Sequence, residues 1–228
     1  MAQRKKFVMV SGLLLLMVQM LAIEVRYTYL LHTEFMVCGR PYAFLFDMDY
    51  KGSDSEILLY EGIIGFYNPA SRKFTAFGHP VLEEEKDVGQ KALVFEVEEQ
   101  KAGKLVGDIY KNTDGGCFGK FREGYKPFEY ASMKVMPLGR IHEGTACLLM
   151  LDENHQMVEY TGNMTLKKNG FPVELVVTDE NFPGAGPGCS GSIVLQDGKI
   201  AAIVCAGKEG GNTKKLFAIP AAYTLLQF

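Results

Sequence analysis

The stretch Pro187-Gly188-Cys189-Ser190-Gly191-Ser192-Ile193 opens an apolar run that ends in a Gln196-Asp197-Gly198-Lys199 turn, after which a second apolar run begins. A serine with glycines two before and one after it, wedged between two strand-like runs, is the pattern of an activated hydroxyl. Gly188 lets the backbone bend so that its N–H and that of Ser190 point at one spot, and Gly191 leaves the far side of the hydroxyl open. The same seven residues also read as a polar β-turn of small side chains. The rest of the chain decides between the two.

Outward from this stretch the sequence is a series of short β-type runs, at 57–67, 73–77, 92–97, 104–110, 133–138, 146–151, 157–160, 173–178, 192–195, 200–206 and 216–219. Turn chemistry separates them, as in Asn68-Pro69-Ala70-Ser71, Asp152-Glu153-Asn154 and Lys168-Asn169-Gly170. About a dozen short strands with hardly a helical period between them predict a closed β-barrel or two barrels packed together. Only residues 221–227 read as a short helix at the end of the chain.

With 228 residues, 47% of them hydrophobic, the chain is long enough to bury a substantial core. A net charge of −3 leaves no broad basic surface to neutralise phosphates and argues against a nucleic-acid partner. The five cysteines, Cys38, Cys117, Cys147, Cys189 and Cys205, are odd in number and lack metal-site spacing, so neither a disulfide framework nor a zinc site is expected.

The amino terminus differs in character. Arg4, Lys5 and Lys6 precede an apolar run over residues 7–23, which as a helix reaches roughly 25 Å. That suits a signal peptide or a membrane anchor. Leu21-Ala22-Ile23 passes into Glu24-Val25-Arg26 without a small-x-small cleavage site, which favours the uncleaved anchor. The basic cluster then stays in the cytoplasm and the chain beyond Glu24 lies outside it.

A serine hydroxyl needs a base. His79 ends an apolar strand between Gly78 and Pro80 and opens into the polar loop Glu83-Glu84-Glu85-Lys86-Asp87, where an imidazole can reach across a cleft. His32, His142 and His155 have no apolar strand delivering them and read as surface residues. The base in turn needs a carboxylate to fix its tautomer. Asp179 closes the run Val176-Val177-Thr178, 11 residues before Ser190, and Asp108, 29 residues after His79, is the alternative acid. Cys189 as nucleophile would place Ser190 where the tight elbow wants glycine, whereas Ser190 has Gly191 there. Serine is therefore preferred, with Cys189 a small packing residue.

The segments Gly62-Ile63-Ile64-Gly65-Phe66-Tyr67-Asn68-Pro69 leading to Phe77-Gly78-His79, then Gly107-Asp108-Ile109-Tyr110-Lys111-Asn112-Thr113 with Gly116-Cys117-Phe118-Gly119, and finally Val177-Thr178-Asp179 and Gly188-Cys189-Ser190-Gly191-Ser192, together resemble the stage IV sporulation protein B serine peptidases. The similarity runs over roughly residues 58–228. The resemblance implies an all-β, chymotrypsin-like double β-barrel preceded by one N-terminal membrane-anchor helix. It implies a triad of His79, Asp179 and Ser190, with the N–H groups of Gly188 and Ser190 as oxyanion hole and no metal or organic cofactor. It further implies an anchored, extracytoplasmic, self-cleaving serine endopeptidase. In endospore formers such a protease acts between the two membranes around the forespore, on a membrane-bound regulator in sporulation signalling.

The chain accordingly divides into a basic tip and signal-anchor helix (1–26), a connector (27–56) and a serine peptidase domain (57–228). The family carries a PDZ domain between anchor and peptidase, for which a connector of this length has no room. The expected partners are a membrane-associated protein substrate and, through residues 7–23, the membrane itself. The rival reading is a catalytically inactive barrel of the same fold that binds a regulatory partner.

Overall fold

The apolar run at the amino terminus forms a helix, α1, Ala2–His32, which goes past residue 26, the expected end of the anchor segment. Residues 24–32 contain no glycine or proline to stop it, and Tyr27, Leu30 and Leu31, spaced three and four apart, give its last turns an apolar side. Leu30 is buried between the barrels described below, with Tyr27 and Leu31 packed beside it. The N–H of Thr33 donates to the Leu30 carbonyl and ends the helix. The computed structural model describes residues 2–48, 56–77, 92–98, 101–113, 116–166, 173–186, 189–207 and 214–228.

Only Thr33 separates α1 from β1, Glu34–Cys38, which is followed by β2, Pro41–Met48; β3, Glu56–Tyr67; β4, Lys73–Ala76; β5, Ala92–Glu98; β6, Lys101–Thr113; β7, Gly116–Phe121; and β8, Glu129–Lys134. Strands β2-β5-β6-β7-β4-β3 form a ring that closes through the β2–β3 pairing, and β1 and then β8 extend the sheet beyond β3. The interval 27–56, expected as a connector, thus supplies the end of α1 and two strands of the first sheet. Its Cys38-Gly39-Arg40-Pro41 segment joins β1 to β2. Pro41 is tolerated as the first residue of β2, and Tyr42 and Phe44 alternate into the core with no exposure.

Strand β7 is also absent from the expected set, because Gly-Cys-Phe-Gly carries little β-propensity. Its glycine has a packing role. A Cβ at Gly119 would lie 2.2 Å from the Phe74 ring, so the missing side chain makes room for a core aromatic that also contacts Phe121, centroid to centroid at 4.6 Å.

The second barrel comprises β9, Gly144–Leu151; β10, Met157–Thr165; β11, Val173–Val177; β12, Ile193–Gln196; β13, Lys199–Gly207; and β14, Lys215–Pro220. They close in the order β10-β11-β14-β13-β12-β9. Its tightest hairpin, β12 to β13, turns on Asp197 and Gly198, whose φ angles of 50° and 68° suit a two-residue loop that matches strand twist. The chain then adds a short helix, α2, Ala221–Thr224, and a 3-10 turn, Leu225–Gln227.

Each barrel has its own apolar interior. A third cluster joins them, in which Leu30, Phe35 and Phe66 from the first half meet Leu149, Ile193 and Ile203 from the second, with Leu225 and Phe228 between. The fold is the expected all-β double barrel behind one apolar helix, and the seam between the barrels is where the serine stretch lies.

Candidate active site

Ser190 sits in a tight turn just before β12. The N–H of Ser192 donates to the Cys189 carbonyl at 3.1 Å, and the N–H of Gly191 donates to Val204 of β13 at 2.9 Å. Val204 donates back to Ser192, also at 2.9 Å, so the turn is stitched to the neighbouring strand at two points. Gly191 has φ +92°, and a Cβ there would stand 2.4 Å from the Ile63 carbonyl of β3. Only glycine permits this approach, by which the elbow of the second barrel leans on the wall of the first. Gly65, two residues further along β3, is equally constrained: its Cβ would be 2.9 Å from the Gly191 carbonyl.

The Oγ atoms of Ser190 and Ser192 are buried and have no hydrogen-bond partner among the described residues. An unpaired buried hydroxyl costs about 1–3 kcal/mol, and such groups are retained where chemistry uses them. Gly188, the other expected oxyanion donor, lies outside the described residues, as does His79.

The chain is described as far as Phe77, two residues before His79 in sequence. Phe77, which follows β4, sets its ring where Gly62 has no side chain, 2.3 Å from the position of a Cβ there, and meets the Phe44 ring at 4.7 Å. Phe77 rests on Gly62 and the elbow rests on Ile63, so two adjacent β3 residues receive the segment after β4 and the serine turn.

Asp179 follows β11 and is half-buried. Its N–H donates to the Thr161 carbonyl at 3.1 Å, its carbonyl accepts Lys214 Nζ at 2.7 Å, and its carboxylate accepts the Asn181 N–H at 2.9 Å. The carboxylate thus starts the loop that leads to the elbow, and its described hydrogen bond is to that loop. Asp108 is on β6 with a half-exposed carboxylate 3.8 Å from Arg122 Nη2, opposite Lys120 of β7. Two strands, β7 and β4, separate it from β3 and the elbow, and its surroundings are those of a surface ion pair.

Cys189 is buried, accepts the Gly186 N–H at 3.4 Å, and burial pushes its thiol above the ordinary range, with that N–H opposing the shift. A thiol held protonated is a poor nucleophile.

A cleft of about 480 Å³ opens beside the elbow, with Gly62 and Ile63 on one wall and Pro183–Gly186 and Cys189 on the other. His155, read from the sequence as a surface residue, lines this cleft, and its Nε2 lies 3.4 Å from Glu61 Oε1 across the seam. The Asp152 carboxylate puts it there by accepting the N–H groups of Asn154 and Gln156 at 2.9 and 2.8 Å. An Asp-x-Asn turn of this kind was the available signal. By contrast, His142 lies at the surface, where the Glu143 carbonyl and then Asp197 raise its pKa, and His32 ends α1.

No curated protein sequence matches the chain. Among solved structures, an HtrA-type protease, AlgW with tripeptide, aligns at TM-score 0.51 and 13% identity. The alignment covers 83% of this chain, which spans 59% of that one. A serine protease of human pathogenic astrovirus aligns at TM-score 0.45 and 14% identity, covering 80% and 89%. The first of these shows the protease-type double-barrel fold. The sequence model for SpoIVB peptidase S55 matches residues 83–206, more than half of the chain. That interval holds Asp108, Asp179 and Ser190 and starts four residues after His79. The chain therefore belongs to the SpoIVB peptidase S55 family of serine peptidases.

Proposed function

We propose that the protein is a membrane-anchored, extracytoplasmic serine endopeptidase that cleaves itself and a membrane-associated regulatory protein in sporulation signalling. The observation that carries the catalytic part is the Ser190 hydroxyl, buried and unpaired among the described residues, in an elbow set against β3 beside the exit of β4 toward His79.

In this reading Ser190 Oγ attacks the scissile carbonyl as His79 takes its proton. The N–H groups of Gly188 and Ser190 receive the oxyanion, a stabilisation worth about 3 kcal/mol per donor. His79 returns the proton to the leaving amine, and a water then opens the acyl-enzyme by the same route. Asp179 orients His79, and the Lys214 bond to its backbone holds that residue in place. Asp108 is the lesser candidate because Arg122 engages it on the outer wall. The cleft beside the elbow would receive the substrate chain.

The apolar span Val10–His32, at about 35 Å, is long enough to cross a bilayer, and the basic tip before it favours a cytoplasmic start. The family supports the sporulation role and the self-cleavage. The test is purified wild type against Ser190→Ala, with a fluorophosphonate probe and a gel assay of self-cleavage. Labelling and cleavage by wild type alone are expected. If neither protein labels or cleaves, the chain is a non-catalytic barrel, and if Ser190→Ala stays active while iodoacetamide stops it, Cys189 is the nucleophile.

A further inference from the structure

The last turns of α1 are locked to the barrels. One residue, Thr33, separates the helix from β1, its side-chain hydroxyl donates to the Tyr29 carbonyl at 3.0 Å, and Leu30 is buried in the cluster between the barrels. Arg26 donates to the Phe228 oxygen, which Lys73 Nζ also reaches at 2.9 Å, and Phe228 itself stacks on Phe66 with centroids 5.8 Å apart. No flexible joint therefore lies between the apolar helix and the barrels. Whatever surface the helix enters sets the attitude of the whole molecule.

The level of that surface follows from length. A hydrocarbon core of about 30 Å takes about 20 helical residues. Counted from the end of the basic tip, its far boundary falls close to Arg26. The groups around Arg26 are then at the depth of the headgroups, and their chemistry suits that depth. Tyr29 is 68% exposed, Leu226 52% and Tyr110 38%. Tyr110 donates to the Gln227 carbonyl at 3.3 Å, which joins it to the Leu226 segment, and Lys73 Nζ lies 5.7 Å from the centre of its ring. Lys111 also bonds Gln227, and Lys120 faces Lys73 across β4 and β7. Burial, and after it the charges of Arg26 and Lys120, lowers the Lys73 pKa. Glu24 on the helix and Asp108, held by Arg122, are the acids nearby in the chain and on the strand.

We infer that the face carrying Tyr29, Tyr110, Leu226, Lys73 and Lys111 rests in the headgroup layer of the bilayer that α1 enters. Aromatic rings and snorkelling cations prefer that layer, and an exposed leucine gains by entering it. The elbow contact at Ile63 is three residues along β3 from Phe66, or about 10 Å. The inference rests on the anchor part of the proposed function and is independent of the chemistry at Ser190.

The chain contains no tryptophan, so one introduced residue is a clean reporter. The full chain is placed in phosphatidylcholine nanodiscs whose lipids carry bromine either near the carbonyl end or near the methyl end of the acyl chains. Leu21→Trp reports the anchor, Leu226→Trp the proposed face, and Phe128→Trp the end of β1 remote from α1, where the native side chain is 53% exposed. The expected result is quenching of Leu21→Trp by bromine at both depths, loss of about half the Leu226→Trp emission to shallow bromine, and none for Phe128→Trp. Quenching at Leu21 without quenching at Leu226 overturns the docked face and leaves the anchor standing. Equal quenching at Leu226 and Phe128 overturns it as non-specific adsorption. No quenching at Leu21 removes the anchor and the docked face together.

Discussion

Strand β12 has a glycine turn at each end, and the two differ in what they touch. Gly198, in the hairpin to β13, has φ +68°, and a Cβ there would meet no atom within 4 Å. Gly191, in the elbow, has φ +92° and would put its Cβ 2.4 Å from a backbone carbonyl of the other barrel. The first turn reverses the chain and faces solvent. The second reverses the chain, joins two barrels and holds a hydroxyl out of hydrogen-bond reach of its described neighbours. Composition alone marks both as turns. The contact across the seam is what separates a turn from a site.

The largest effect should come from removing the hydroxyl itself. Ser190→Ala is expected to lower kcat/KM about 10⁴-fold or more, because the remaining triad has no nucleophile to activate. Its urea midpoint should hold or rise, since the lost Oγ is a buried group without a described partner. A large loss of stability in this variant would make the serine a structural residue and break the distinction between the two turns.

Next in size are the glycines. Gly191→Ala must move Ile63 or the elbow in addition to adopting positive φ, and should cost about 3 kcal/mol or more together with activity. Gly198→Ala carries only the backbone penalty, about 1–2 kcal/mol, and should leave kcat/KM unchanged. Urea unfolding of both variants beside an activity assay makes the comparison direct. Equal losses at the two sites would show that the seam contact carries no weight.

The same distinction explains how much the sequence discloses. Strand periodicity exposes most of both barrels because inward residues must alternate, as Val173, Leu175 and Val177 do in β11. The interval 27–56 escapes because β1 has only five residues and the Gly-Arg-Pro segment that joins it to β2 looks like linker. Strand β7 escapes because Gly119 is there to receive Phe74 from another strand, which no local pattern encodes. At the site, the turn through Cys189, Ser190 and Gly191 is legible, since these residues serve a local bend. The Glu61–His155 pair across the cleft is not, because its partners are 94 positions apart and meet only when the barrels close on each other. The acid is hard to read for a related reason: Asp179 and Asp108 both end or interrupt apolar strands, and only the fold shows that Arg122 engages the second.

The smallest expected effect concerns the thiol next to Ser190. Burial holds the Cys189 pKa above the ordinary thiol value, and the Gly186 N–H offsets only part of the shift. Near neutral pH the thiolate is scarce, so iodoacetamide should modify Cys189 about tenfold more slowly than a free cysteine peptide, read by peptide mass spectrometry. Cys147 and Cys205, both pushed up to about 11, should also react slowly. The sign for stability follows from the same shift. In the unfolded chain the thiol ionises near its ordinary value of about 8.5, while in the folded protein it stays protonated to higher pH. The Cys189 contribution is therefore intact below that value and is lost as pH rises from it toward the folded pKa. Cys189→Ala should remove this part of the alkaline decline and keep kcat/KM within about twofold, as befits a small packing residue behind the elbow. A much larger loss of activity would move Cys189 from the wall of the cleft into its chemistry and make the elbow a two-residue site.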